Sequence, residues 1–317
     1  MAVYTKVTDD QVKQFISDYD IGKFVRIEPI KSGIDNSNYH LFTDNDRYII
    51  TIYESRVNPD DLPFFYDFKE HLAKNGINCP ETIRNKNGGR VGELSGKAAA
   101  IISFLDGNEI NNITSDLCFQ MGKVTAKMHI ASTKFDQRLE NYMGLKRWNS
   151  SFEEVRSHAC EINKDLESFM EKELEYLNNN HPINLPKCIT HNDMFPGNIF
   201  EKDGDVFGVI DFYFSCETSM LYDFLITANA WCFDENNKMR MDYFDAMMRG
   251  YEEVREFTKE ELDAFPYMCR AACMRFLSSR LYDWFNTPED AFIAKHDPME
   301  YVEKIKFYQK EKLLELV

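Results

Sequence analysis

The sequence predicts an α+β fold of two lobes, in which a small antiparallel β-sheet with one helix precedes a larger, mainly helical lobe. Three observations lead to this prediction. The first third of the chain consists of short runs of β-branched and aromatic residues separated by tight turns. The remainder has apolar residues at helical spacing, and one β-rich stretch, residues 187–212, interrupts it. We place the boundary at residue 106, so that the predicted domains are 1–106 and 107–317.

The first lobe is predicted to hold five strands and one helix. The turn Asp44-Asn45-Asp46 separates two of the strands. The helix ends at Gly76, a residue favoured after a last helical turn because it adopts positive φ without strain. The strands are expected at 24–30, 39–43, 47–53, 82–84 and 98–105, and the helix at 60–75.

The second lobe is predicted to be helical around a β-rich insertion. Its helices or helix pairs are expected at 115–130, 152–178, 219–233, 241–257, 259–285 and 298–314. The insertion contains three short β runs, CIT, NIF and VFGVIDF, joined by a polar loop and by the turn Asp203-Gly204-Asp205. A polar loop held between strands is a rigid support for functional side chains, so this segment is a candidate position for a functional site.

Composition excludes several classes of function. The longest apolar run, residues 98–105, is far shorter than the ~20 residues of a membrane helix. The N-terminal MAVYTKVTDDQ lacks the basic and apolar regions of a signal peptide. Eight cysteines without a C-x-x-C pair favour free thiols in a reducing compartment, so we expect a cytoplasmic protein. The net charge of -16 disfavours nucleic acid and anionic membrane as partners, although local donors with Mg²⁺ can still hold a nucleotide.

The insertion carries the pattern on which the functional prediction depends. It contains HNDMFPGN, residues 191–198, and then the apolar run VFGVI, which ends at Asp211. Phosphoryl transfer from ATP requires a carboxylate that accepts the proton of the acceptor hydroxyl, and amide and carboxylate oxygens that hold Mg²⁺ on the phosphates. Asp193 is therefore the candidate catalytic base, Asn198 and Asp211 are the candidate Mg²⁺ ligands, and His191 braces the loop.

These residue types also form ordinary turns, which is the alternative interpretation of the pattern. The spacing, however, is that of protein kinases, H-R-D-x-x-x-x-N followed by D-F-G. Agreement at all four positions, on a strand–loop–strand frame, favours the catalytic interpretation.

The chain resembles the superfamily of aminoglycoside phosphotransferases and choline kinases, and within it the bacterial homoserine kinases. The resemblance covers nearly the whole chain, through IDNSNY, YESRVNPDDLPFF, GINCPETIRN, HNDMFPGNIF, GVIDFYFSCETSMLYDFLITANAWC and RFLSSRLYDW. It implies a protein-kinase-like bilobal fold, and transfer of the γ-phosphoryl group of ATP, with Mg²⁺, to the hydroxyl of L-homoserine in threonine biosynthesis. It also implies that Asp223 fastens the catalytic loop.

The resemblance further implies where the nucleotide binds. The residues implied to cover the phosphates are Ser32, Gly33, Asp35 and Ser37, and those implied to meet adenine through backbone groups are Ser103, Phe104 and Leu105. Many kinases carry Lys or Arg on the third strand to hold the phosphates, but here Thr51 occupies that position. Its partner acid on the next helix would be Glu70. The sequence offers Lys31 and Arg47 as substitutes by position only.

Homoserine carries a carboxylate and an ammonium group, so its site requires a cation, ideally a bidentate arginine, and an acid or carbonyl groups. Arg280 and Asp283 share a face of the helix predicted at 259–285 with Trp284, at spacings i, i+3 and i+4. They form either an acceptor site or a structural ion pair. Arg275 is a further candidate on the same helix, and Tyr213 is a candidate lining residue two positions after Asp211, the candidate metal-binding aspartate.

Two other functions remain open at this stage. The same chemistry can act on choline, ethanolamine or an aminoglycoside, and a choline site favours an aromatic cage without a carboxylate-binding arginine. A nucleotide-binding protein without catalytic activity is supported by Thr51 alone, and the intact pattern of Asp193, Asn198 and Asp211 speaks against it.

Overall fold

The computed structural model describes residues 5–30, 36–54, 58–287, 295–311 and 313–315. These residues form two compact units. The first contains the chain up to Asp106 together with Gly208–Tyr213, a segment that the sequence-based division assigned to the helical lobe. The division into two domains stays a prediction.

The first unit is built on a five-stranded antiparallel sheet in the order β1-β2-β3-β5-β4. Its strands are β1 (Phe24–Pro29), β2 (Ser37–Thr43), β3 (Arg47–Ile52), β4 (Gly92–Leu94) and β5 (Lys97–Ser103). The predicted strand at 82–84 forms only an isolated bridge between Thr82 and Ile102. The fifth strand is β4, which joins β5 through Ser95 and Gly96, both at positive φ (55° and 76°), as a two-residue hairpin requires.

The described residues of the first unit include two α-helices, where the sequence predicted one. α2 (Leu62–Lys74) lies in the predicted range, whereas α1 (Asp9–Ile16) was missed. α1 begins with a capping box, in which Gln11 Oε1 accepts from the Thr8 N–H at 2.8 Å and the Thr8 hydroxyl accepts from the Gln11 N–H at 3.3 Å. Its buried residues pack into the same core as the sheet.

The second unit is mainly helical. Its helices are α3 (Ser115–Ser132), α4 (Leu145–Val155), α5 (Ala159–Ile162), α6 (Leu166–Asn179), α7 (Met220–Trp231), α8 (Met241–Glu252), α9 (Lys259–Asn286) and α10 (Met299–Lys310). The segment predicted as a helix or helix pair at 152–178 contains the end of α4, then α5 and α6, and Asn163 is extended (φ -153°, ψ 131°) between α5 and α6. α3 and α8 cross closely enough that a Cβ at Gly250 would overlap the Phe119 carbonyl.

Short strands support the insertion. They are β6 (Asn108–Glu109), β7 (Lys187–Thr190), β8 (Ile199–Lys202), β9 (Asp205–Val209) and β10 (Cys216–Ser219). β7 pairs with β10 in an antiparallel ladder, and β8 lies between β6 and β9. Across the residues with described structure, no helix combines the length and apolar character needed to span a membrane.

Candidate active site

The predicted catalytic loop connects β7 to β8. Asn192 sits at its start with φ of 63°, a left-handed conformation that asparagine tolerates better than most residues. The Asn192 amide donates to the Phe214 carbonyl at 3.2 Å, and its Oδ1 accepts from the hydroxyl of Thr190 at 3.1 Å. Further along the loop, the indole N–H of Trp231 donates to the Met194 carbonyl at 2.8 Å. The loop is therefore held by hydrogen bonds to β7, to α7 and to the backbone of Phe214.

Asp193 and Asn198 meet within this loop. The Asn198 Nδ2 donates to the backbone carbonyl of Asp193 at 2.7 Å and to its Oδ2 at 3.0 Å. Because Nδ2 makes both bonds, Oδ1 is the Asn198 atom left to coordinate a cation. The backbone N–H of Asp193 donates to Nδ1 of the buried His191 at 3.2 Å. The structure thus brings three of the predicted residues together.

Asp223 lies on α7 with no exposed surface. Its Oδ1 accepts from the backbone N–H of Asn192 at 2.6 Å, and its Oδ2 lies 2.8 Å from Nε2 of His129. His129 Nδ1 in turn lies 2.8 Å from the hydroxyl of Tyr251, which accepts from Arg255 at 3.1 Å. Asp223 therefore connects the predicted catalytic loop to a buried series of hydrogen-bonded side chains in the helical unit. His129 is a structural member of this series.

In the first unit, Asp211 follows β9 with φ of 64°, a strained conformation for aspartate. Tyr213, two residues on, joins an aromatic group of the same unit. Its hydroxyl lies 2.9 Å from that of Tyr53, which accepts from Tyr66 at 2.7 Å. Burial raises the pKa of Tyr213, so this hydroxyl remains protonated at neutral pH.

Lys69 on α2 was missed by the sequence analysis. It is 5% exposed, and burial lowers the pKa of its ammonium to about 8, although the Cys79 thiol and the Asp211 carboxylate act in the opposite direction. Glu70, by contrast, is half exposed and pairs with Lys74 at 3.0 Å. A lysine at a core-facing helical position of the run LPFFYDFK was the sequence signal, because such positions are normally apolar.

The predicted nucleotide residues are described only in part. Ser32, Gly33 and Asp35 lie outside the described residues. Ser37 is fully buried on β2, where its hydroxyl donates to Glu54 at 2.6 Å. Thr51 is also buried, and its hydroxyl donates to Asn38 at 2.8 Å.

The residues implied to meet adenine lie at the end of β5 and directly after it. Ser103 is anchored by Glu81, whose N–H donates to the serine hydroxyl and whose carbonyl accepts from the serine N–H, each at 2.8 Å. Phe104 packs its ring 3.3 Å beneath the guanidinium carbon of Arg47. Leu105 packs against Gly208, and a Cβ atom on residue 208 would overlap a methyl group of Leu105.

Two of the candidate acceptor residues on α9 differ in their surroundings. Arg280 donates to Glu300 at 2.5 Å and to the Asp297 carbonyl at 3.1 Å, and it lies over the ring of Tyr301. Arg275 is 4% exposed and packs against aromatic rings. Asp283 is half-buried one turn after Arg280.

An Asp–Asn loop after a short strand, in a chain with an antiparallel sheet unit and a helical unit, defines a phosphotransferase of protein-kinase-like fold. Comparison with known proteins agrees. The chain belongs to the APH phosphotransferase enzyme family, whose model matches residues 26–257. The family resemblance and the α+β fold predicted from the sequence are confirmed, and the chain is an enzyme that transfers a phosphoryl group to a hydroxyl.

Curated relatives match along almost their whole length. The chain is 43% identical to a homoserine kinase of Paramagnetospirillum magneticum, covering 98% of this chain and 97% of the relative. It is 38% identical to a homoserine kinase of Agrobacterium fabrum, covering 98% of this chain and 96% of the relative. Among solved structures, an amicoumacin kinase in complex with AMP-PNP and Ca²⁺ has a TM-score of 0.72 at 14% identity, covering 97% of this chain and 95% of that one. At such low identity the structural likeness shows the fold alone.

Proposed function

We propose that this chain transfers the γ-phosphoryl group of ATP, bound with Mg²⁺, to the side-chain hydroxyl of L-homoserine. The observation that carries the proposal is the pair of hydrogen bonds from the Asn198 amide to Asp193. These bonds orient a carboxylate while leaving an amide oxygen for a cation. The full-length similarity to homoserine kinases supports the choice of acceptor.

In the proposed reaction, one Asp193 carboxylate oxygen accepts a hydrogen bond from the acceptor hydroxyl and takes its proton. The hydroxyl oxygen forms a bond to the γ-phosphorus as the bond to the β–γ bridging oxygen breaks, which yields ADP and O-phosphohomoserine. Asp223 keeps Asp193 in place by binding the preceding peptide N–H. Both roles require that the loop be held in one conformation.

The donor chemistry fits Mg²⁺, which prefers oxygen ligands. Asn198 would hold it through Oδ1 and Asp211 through its carboxylate. The metal, when bound, neutralises charge on the β- and γ-phosphates. Lys69 is a second source of positive charge, because its ammonium and the Asp211 carboxylate attract each other. It is our candidate for the cation that the third strand lacks at Thr51.

The nucleotide would bind through backbone groups of residues 103–105 and through residues 32–37, as the family resemblance implies. We also infer a cytoplasmic location, because all eight cysteines are free thiols, seven of them buried.

ADP release, coupled to a reporter reaction, tests the proposal. The panel is L-homoserine, L-serine, L-threonine, choline and kanamycin, each with ATP and Mg²⁺ and again with excess chelator. We expect turnover with homoserine that the chelator abolishes. Turnover of choline or kanamycin but not homoserine would retain the reaction class and reject the acceptor.

A further inference from the structure

Arg275 is a buried charge without a counter-ion among the described residues. Its guanidinium lies 4.8 Å from the ring centre of Phe214 and 4.5 Å from that of Phe276, and the residue is 4% exposed. The two other arginines in the body of α9 have carboxylate partners. Arg270 donates to Glu173 at 2.6 and 2.7 Å, and Arg280 donates to Glu300 at 2.5 Å. Burying an unpaired guanidinium is costly, so an anion that pairs with Arg275 would be bound favourably.

Arg275 borders a small cleft that also contains an unsatisfied hydroxyl. The cleft is also lined by Tyr142, Asn192, Cys216 and Tyr222. The Tyr222 hydroxyl is buried, and in the described part of the chain it finds no hydrogen-bond partner. Burial raises the pKa of Tyr222, although the Arg275 guanidinium acts in the opposite direction, so the hydroxyl keeps its proton at neutral pH. Two donors, one charged and one neutral, therefore border the same cleft.

The chemistry of the cleft lining favours a carboxylate over a cation. None of its lining residues is acidic. A guanidinium presents paired N–H donors that fit the two oxygens of a carboxylate, and a tyrosine hydroxyl can add a third hydrogen bond. The ammonium group of choline or of an aminoglycoside would meet an unpaired positive charge there instead.

The cleft also lies beside the residue that precedes the proposed base. Asn192 lines it, and the next residue is the proposed base, Asp193. Homoserine carries its carboxylate only a few bonds from its hydroxyl. A carboxylate held beside Asn192 would thus leave the hydroxyl near the catalytic loop, whereas the Arg280 guanidinium is already bonded to Glu300.

We propose that Arg275 and Tyr222 form the subsite that binds the α-carboxylate of the amino-acid acceptor. The inference rests on the proposed function for the identity of the acceptor. Its chemistry distinguishes homoserine from 3-amino-1-propanol, which has the same hydroxyl and amine but lacks the carboxylate.

The test compares L-homoserine with 3-amino-1-propanol on the full chain and on Arg275→Met, Arg275→Lys and Tyr222→Phe. Steady-state kinetics measure kcat/KM for each acceptor, and calorimetric titration measures binding without turnover. We expect Arg275→Met to reduce the preference for homoserine by about 10- to 100-fold, through KM, with a partial return in Arg275→Lys and a smaller loss in Tyr222→Phe. Since methionine removes an uncompensated buried charge, the midpoint of thermal unfolding of the ligand-free protein should not fall.

Arg270→Met is the matched control on the same helix. It leaves the buried Glu173 without its arginine, so it should lower thermal stability while the preference for homoserine is kept. A well-folded Arg275→Met variant that keeps the preference overturns the subsite and leaves the proposed function intact. Homoserine that binds through Arg275 but is not phosphorylated overturns the proposed function and leaves the subsite intact. Failure of the unmodified chain to bind homoserine overturns the subsite.

Discussion

The side-chain amide of Asn198 donates to both the backbone carbonyl and the carboxylate of Asp193, at 2.7 and 3.0 Å. The two residues are five positions apart, so a single short turn sets the orientation of the proposed base. A base held in this way does not need to reorganise when the acceptor binds, which is the main contribution that a protein makes to phosphoryl transfer.

Asp193→Asn should lower kcat by about 100- to 10,000-fold, the usual contribution of a positioned general base, while ATP binding is kept. Single-turnover kinetics and nucleotide titration measure the two effects separately. Asp203→Asn is the control, since Asp203 is exposed at a positive φ (56°) that asparagine also adopts. If the Asp193→Asn variant retains most of the activity, Asp193 is not the base.

Asp223→Ala should lower the free energy of unfolding by about 3–5 kcal/mol, because it leaves the Asn192 N–H and the His129 ring without their buried acceptor. Urea unfolding measures this loss. Asp245→Ala removes an exposed partner of Arg249 and should cost at most about 1 kcal/mol. Equal stability losses in both variants would contradict the buried role of Asp223.

Lys69→Met should raise KM for ATP by about tenfold, the effect of losing ~1.4 kcal/mol of electrostatic attraction, and should change KM for the acceptor less. The free energy of unfolding should not fall, because methionine fills a similar volume without a buried charge. Lys74→Met, on the exposed face of the same helix, is the matched control. An unchanged KM for ATP would exclude Lys69 as a phosphate-side cation.

Glu300 links stability to pH. Burial raises the pKa of its carboxyl, but Lys304 and Arg280 outweigh this and hold the pKa below its ordinary value of 4.5. Since the folded pKa is the lower one, the stabilisation is present above pH 4.5 and is lost as the pH falls through the folded pKa. The difference in free energy of unfolding between the unmodified chain and Glu300→Gln should therefore be constant near neutral pH and shrink below pH 4.5. A difference that does not vary with pH would contradict the ion-pair account.

Much of the fold could be predicted because its signals are local. The strands β1, β2, β3 and β5 and most of the long helices follow from residue type and apolar spacing. α1 was missed although Thr8 and Gln11 carry a capping-box pattern, since eight residues offer little apolar periodicity. The run at 82–84 has strand composition, but only the pairing of β4 with β5 shows which segment completes the sheet.

The sequence by itself determined the reaction class, because Asp193 and Asn198, the proposed base and metal ligand, lie five positions apart in one loop whose geometry depends on nearby residues. Only the tertiary structure decided which charges are satisfied. Arg275 and Arg280 are both arginines on one helix among apolar residues. Arg280 pairs with Glu300, whereas Arg275 packs against aromatic rings. An ion pair depends on partners distant in the chain, and neither periodicity nor motif spacing records where those partners come to lie.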